Sequence, residues 1–362
     1  MTDQQRRAPE TDRSDRSSQR SKSDDATTTT IGREGRGGMF RRVSGRNAMA
    51  AGLAATSFGA LAGATAGPTS RTASGSGELA GAGDDVVRDL EIRQDWDIEV
   101  TRNDQVEFFI EFLMGKNHDK TKLWLERLGH YGPMIQERLA ERGMPQDLIW
   151  LAMIESGLDA NAYSSADAAG IWQFIEPTGE RYGLEVSKYV DERRNPEKAT
   201  DAALDYLQEL HERFGSWYLA AASYNTGENR VDRVLNERAG GQKGVESVFW
   251  DIAAHLPRET RDYVPVMLAM GHIGKDPEQF GFTDLQLQEA RAFDMVRLPG
   301  GTRLEKVAQT LGMDPDSLYD LNPELIQQMT PPDREWDVRI PAGQSETFLA
   351  RWTGGATSGQ QA

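Results

Sequence analysis

Apolar residues recur at helical intervals through much of the chain between residues 86 and 290. Val106, Phe109, Ile110 and Leu113 fall on one face, as do Leu125, Leu128, Met134, Ile135 and Leu139 around a break expected at Gly132-Pro133. Asn195-Pro196 is a strong start signal, a capping side chain followed by proline at the first helical position. Ala203, Leu207, Leu210 and Phe214 then make one stripe, which Gly215 stops. Residues 217–224 and 262–274 read as further helices, and no sustained two-residue alternation interrupts them. The span 86–290 is therefore read as a helical domain. The pattern changes from Phe293, where Met295, Arg297 and Leu298 complete a short alternating strand before Gly300-Gly301. Thr302 and Glu305 are spaced as a capping box for a helix carrying Leu304, Val307, Ala308 and Leu311. Gly312 ends that helix, Asp314-Pro315 opens a second one through Leu318 and Leu321, and Trp336-Asp337-Val338-Arg339-Ile340-Pro341 returns as a strand. A small βααβ module over 293–343 is expected, with 344–362 left as a disordered tail.

The first 85 residues follow neither pattern. Residues 1–38 are mostly Ser, Thr, Arg, Asp and Gln, too polar to offset the entropy of ordering, and read as a disordered tail. Met39-Phe40-Arg41-Arg42 then opens a basic stretch, followed by a charge-free Ala- and Gly-rich run that ends at Ala64-Thr65-Ala66. That layout over 39–66 is the order of a secretory signal peptide, and an Ala/Gly-rich linker is the other reading. The pair Arg41-Arg42 loosely resembles a twin-arginine signal, with a general secretion signal equally compatible. Because a signal normally starts a chain, the start of translation is left open between Met1 and Met39. The run holds too much Ala, Gly, Ser and Thr for a stable membrane span, and 67–85 reads as a flexible linker.

Composition narrows the chemistry. With 362 residues and 38% hydrophobic side chains the chain can bury a core, and it contains no cysteine. Thiol nucleophiles, thiolate metal sites, disulfide scaffolds and cysteine-borne lipid anchors are thereby removed. The five histidines share no metal-ligand spacing, so neither a metal nor any other cofactor is expected. The formal charge is −16, and since residues 1–75 are net basic the remainder is more acidic still. A reader of nucleic-acid backbones is disfavoured.

One carboxylate stands out. Pro145 begins a helix in which Leu148-Ile149-Trp150-Leu151-Ala152-Met153-Ile154 is apolar all round, and Glu155 falls at its end just before the stopping Gly157. Burial disfavours the charged form of a carboxyl group there, and so does the negative end of the helix dipole, so its pKa should rise into the range of a general acid. From position alone, a Glu serving as a helix-end strut or pairing with a buried Arg is the favoured reading, since structural networks also perturb pKa values.

The neighbouring motifs favour the acid. Glu155-Ser156-Gly157, Ser164 with Gly170-Ile171-Trp172-Gln173-Phe174, Ala222-Ser223-Tyr224-Asn225 and Glu259-Thr260-Arg261-Asp262-Tyr263-Val264 occur in this order. In order and spacing they resemble the lytic transglycosylase domain, in particular the membrane-bound murein transglycosylase D type with its IES, GLWQF, AYN and ETRxYVP motifs. The resemblance extends through Val190-Asp191-Glu192-Arg193-Arg194-Asn195-Pro196 and covers roughly residues 95–285. It implies a mainly α, lysozyme-like catalytic domain acting on peptidoglycan glycan strands, with Glu155 as the one catalytic carboxylate. That carboxylate would cleave the bond between N-acetylmuramic acid and N-acetylglucosamine and leave a 1,6-anhydro end. By the same resemblance Ser156, Ser164, Gln173, Tyr224, Asn225 and Tyr263 would contact or orient the substrate. Ser223 stands where the family usually has alanine, and Val266 where it often has lysine.

The module at 293–343 resembles LysM, which implies glycan binding. The implied location is the periplasm or cell envelope of an exported protein; the oligomeric state is left open. Two other readings remain at this level. Asp159, Asp167, Glu176 or Glu180 could activate water in a hydrolytic muramidase of the same fold, and the cleft of a non-catalytic peptidoglycan-binding protein could bind without cutting.

Overall fold

The computed structural model describes residue 92 and residues 94–352. The readings for 1–38, 39–66 and 67–85 lie outside the described residues. The helical part runs through α1 (Asp104–Met114), α2 (His118–Glu141), α3 (Ile149–Ser156), a two-stranded hairpin of β1 (Ala168–Ala169) and β2 (Phe174–Ile175), α4 (Glu176–Arg181), α5 (Pro196–Phe214), α6 (Trp217–Thr226), α7 (Glu228–Arg238), α8 (Val248–Ala253) and α9 (Arg258–Lys275). The C-terminal part is β3 (Phe293–Leu298), α10 (Leu304–Leu311), α11 (Pro315–Leu321), β4 (Trp336–Pro341) and α12 (Ser345–Arg351).

Every residue of α3 is buried, as its unbroken apolar run requires, and α9 packs along it while also touching α1 and α6. Its entry is clamped by charge. Asp147, in the 3-10 turn before α3, accepts from Lys275 at the end of α9 at 2.6 Å and from the Trp150 indole at 3.1 Å. The Asp97 carboxylate in turn accepts from the backbone N–H groups of Gln146 and Asp147. The exit is set by Gly157, whose φ of 65° gives the left-handed cap that ends the helix directly after the Glu155-Ser156 pair.

The C-terminal module is the expected βααβ unit. β3 and β4 pair antiparallel from Phe293↔Pro341 to Leu298↔Trp336, and Val296, Leu304, Val307, Leu318, Val338 and Ile340 are buried together beneath α10 and α11. Asn322 closes the unit: its amide donates to the carbonyls of Leu318 and Arg339, and its side-chain oxygen accepts from the Arg339 N–H.

Three expectations are corrected. No break occurs at Gly132-Pro133, because α2 continues through Pro133. An interior proline costs about 3 kcal/mol, and the burial of Leu125, Leu128, Ile135 and Leu139 on both sides of it offsets that loss. The capping box at Thr302 and Glu305 does not form, since the Thr302 hydroxyl donates to the Pro299 carbonyl and α10 starts without a side-chain cap. Within the stretch assigned to a disordered tail, residues 345–351 form α12, held because Phe348 is fully buried in the module's core.

The left-handed Gly157 also packs against Trp124, and an added Cβ would lie 1.9 Å from the indole nitrogen. Gly157→Ala is therefore expected to destabilise the domain by about 2 kcal/mol or more. Urea unfolding checks it, and an unchanged midpoint would contradict the close packing.

Candidate active site

Glu155 is 1% exposed, and the Tyr263 hydroxyl on α9 donates to its Oε1 at 2.6 Å. Burial pushes the carboxyl group's pKa up to about 8; the Tyr263 hydrogen bond pulls it partly back and the nearby charge of Glu259 raises it again. A carboxyl group in this state holds its proton at neutral pH and can give it up in a reaction. Burial likewise keeps Tyr263 and Tyr224 fully protonated, their pKa values well above the usual phenol range, with the charge of Glu155 acting on both.

The turn between β1 and β2 is joined to this centre from two directions. The Ser156 hydroxyl donates to the Ile171 carbonyl at 2.8 Å, and the Tyr224 hydroxyl donates to the Trp172 carbonyl at 2.8 Å. Gln173 follows in the same turn, in the left-handed region at φ 49°. Its amide nitrogen donates to the Gly170 carbonyl, while its buried side-chain oxygen has no hydrogen-bond partner among the described residues. Asn225, on α6, accepts from the Thr260 hydroxyl at 2.8 Å, and its own buried amide nitrogen is also without a partner among the described residues. Buried polar atoms are nearly always paired in folded proteins, so one acceptor at Gln173 and one donor at Asn225 mark places where a polar ligand would complete the wall.

Six of the seven candidate residues thus belong to one connected group: Glu155 with Tyr263 and the electrostatically coupled Tyr224, Ser156 and Gln173 through the turn, and Asn225 through the first turn of α9. Ser164 stands apart from this group. Its hydroxyl accepts from the backbone N–H groups of Ala166 and Ala168 and shapes the chain entering β1. Among the four acids considered for activating water, Asp159 is paired with Arg127 at 3.2 Å, and Asp167, Glu176 and Glu180 are exposed. The carboxylate whose charge does reach Glu155 is Glu259, which stands four residues before Tyr263 in α9. Helical spacing puts the two on one face, a signal present in the sequence but not drawn from it.

No group of three or more His, Cys, Asp or Glu among the described residues could hold a metal ion, and no helix among them is long and apolar enough to cross a membrane.

Two stretches of the chain match known protein families. Residues 133–245 match the family described as Transglycosylase SLT domain, a span that includes every candidate residue except Tyr263. Residues 292–351 match the LysM-like domain of lytic transglycosylase MltD. Membrane-bound lytic murein transglycosylase D of Escherichia coli, from strain K12 and from O6:H1 strain CFT073, is 38% identical over 189 residues, which cover 52% of this chain and 41% of each relative. The chain therefore spans about two fifths of the length of these curated relatives. A crystal structure of the 70 kDa soluble lytic transglycosylase of Escherichia coli aligns at a TM-score of 0.35 and 20% identity, over 50% of this chain and 31% of that one.

The raised pKa of Glu155 has a consequence for stability. The folded chain binds this proton more tightly than the unfolded one, so the contribution is complete below pH 4.5 and is lost as pH rises towards about 8. Glu155→Gln removes the dependence. The melting temperature of the variant should gain on that of the native chain throughout that window, by the equivalent of at most about 1.4 kcal/mol per pH unit. Scanning calorimetry across the range checks it, and a pH-independent difference would contradict the buried, protonated state.

Proposed function

We propose that this chain, with an SLT domain followed by an MltD-type LysM-like domain, is a peptidoglycan lytic transglycosylase of the cell envelope. The observation that carries the reading is the buried Glu155 carboxyl, held by the Tyr263 hydroxyl at 2.6 Å in a setting that pushes its pKa up to about 8. Glu155 gives its proton to the glycosidic oxygen between N-acetylmuramic acid and N-acetylglucosamine as the bond to C1 breaks. The resulting carboxylate then takes the proton of the muramic acid C6 hydroxyl, whose oxygen closes on C1. One group acts first as acid and then as base, the nucleophile comes from the substrate, and no water is consumed.

The surroundings suit both halves of that cycle. Burial weakens the acid enough for its protonated form to be present at pH 7, and the Tyr263 hydrogen bond favours the carboxylate in the second half. The unpaired Gln173 oxygen and Asn225 nitrogen offer an acceptor and a donor to sugar hydroxyl or acetamido groups. The C-terminal module binds the same glycan at a second point and so raises the local concentration of strands. The signal-like segment at 39–66 supports export to the periplasm or cell envelope, where the substrate is found.

Mass spectrometry of muropeptides released from purified sacculi tests the reading. Products ending in 1,6-anhydro-N-acetylmuramic acid are expected, with Glu155→Gln lowering their release by about 10²- to 10⁴-fold while binding to sacculi persists. Reducing-end N-acetylmuramic acid as the product would overturn the reading in favour of hydrolysis. The rate should also decline as pH passes about 8, where Glu155 loses its proton.

A further inference from the structure

The loop before α5 links the C-terminal module to the hairpin that carries Gln173, and one buried guanidinium group makes the connection. Arg193 is 3% exposed. Its Nε and Nη2 donate to the two oxygens of Asp191 at 2.8 and 2.7 Å, a fork-to-fork pairing that fixes the plane of the group. The remaining Nη1 donates to the carbonyl of Asp167 at 2.7 Å and to that of Phe174 at 3.2 Å. Those carbonyls flank the hairpin, one just before β1 and the other in β2, so a single nitrogen clasps its open end. The turn is fitted to the same residue: Gly170, at φ 79°, lies so close that an added Cβ would be 1.8 Å from the Arg193 carbonyl oxygen. Arg193 holds the hairpin on one side, and Ser156 and Tyr224 hold its turn on the side of Glu155.

What holds Arg193 belongs partly to the module. The backbone N–H of Asp191 donates to the Glu324 carbonyl at 2.9 Å, and the preceding Val190 is fully buried within the module's own apolar core. The buried Glu324 side chain accepts from Arg339 at 2.5 Å and from Asn195, the cap of α5, at 3.2 Å. Arg339 also reaches Glu197 on α5 at 2.6 Å, and Glu197 takes a second partner, Arg291, at 3.0 Å. A seam of this kind fixes register, because each charge left without its partner would be stranded out of water.

We infer that Arg193 is a positioning residue for the reaction and that the C-terminal module, through Glu324 and Asp191, is a structural part of the active site as well as a glycan anchor. The inference rests on the transglycosylase reading given above. It separates two consequences of disturbing the module. Loss of an anchor weakens action on polymeric sacculi alone, whereas loss of positioning weakens the chemistry on any substrate.

Steady-state kinetics of the full chain on a soluble four-sugar glycan fragment, which gains nothing from tethering, decides between them. Arg193→Lys keeps the charge but cannot make the fork and the clasp together, and Glu324→Gln weakens the seam while keeping its shape. For Arg193→Lys, kcat per folded molecule is expected to fall at least tenfold, with a smaller change in KM and the decline above pH 8 left in place. Glu324→Gln should lower kcat about threefold in the same direction. Circular dichroism at the assay temperature gives the folded fraction, which is all that a merely structural role would change. Wild-type kcat per folded molecule in both variants, with losses confined to sacculi, would overturn the inference and leave the transglycosylase reading intact. A wild-type chain that releases no anhydro product would overturn that reading, and this inference with it.

Discussion

Keeping the Glu155 carboxyl group out of water governs how α3, α9 and the β1–β2 hairpin are arranged around it. An ionised carboxylate in such a place would be among the costliest groups a fold can contain, and the chain avoids that cost by leaving the group protonated and giving it one strong partner, Tyr263. The same arrangement stores a proton where a reaction could use it. The apolar run of α3 supplies the burial, the left-handed Gly157 ends the helix one residue after Ser156, and α9 brings Tyr263 and Glu259 to the same place. Each of these features alone would be ordinary packing. Together they set the protonation state of a single group.

The hairpin opposite Glu155 shows a second layer of control. Two residues per strand cannot hold a sheet by themselves, and the β1–β2 pair depends on side chains from α3, α6 and the loop before α5. This explains why buried charge accumulates at Asp191 and Arg193, in a region whose local sequence offers no long apolar element. It also connects a site built in the helical domain to the C-terminal module, whose core includes Val190 from outside the module itself.

Much of this was legible in the sequence, for physical reasons that differ by residue. Helical periodicity placed α1, α5 and the faces of α2, and the unbroken apolar run before Glu155 showed that α3 is central. The βααβ order of the module followed from two short strands around two short amphipathic stretches ended by Gly312 and opened by Asp314-Pro315. At Pro133 the local sequence shows only the penalty of an interior proline, and the tertiary burial that overrides it comes from residues packed in the fold. Thr302 has the spacing of a cap, yet its hydroxyl takes a nearer acceptor at Pro299. Residues 345–351 are polar enough to read as a tail, and the burial of Phe348 alone fixes them. Arg193 and Glu324 could not be paired from sequence, because they lie far apart in the chain and meet only through the backbone of Asp191.

The proton on Glu155 can be followed by titrating the group itself. With ¹³C label in the glutamate side chains, and Glu155→Gln used to assign the signal, the chemical shift of the carboxyl carbon can be followed against pH. A midpoint near 8 is expected, far above the ordinary 4.5. A midpoint near 4.5 would mean that the group is ionised at neutral pH, and would contradict its role as a stored acid.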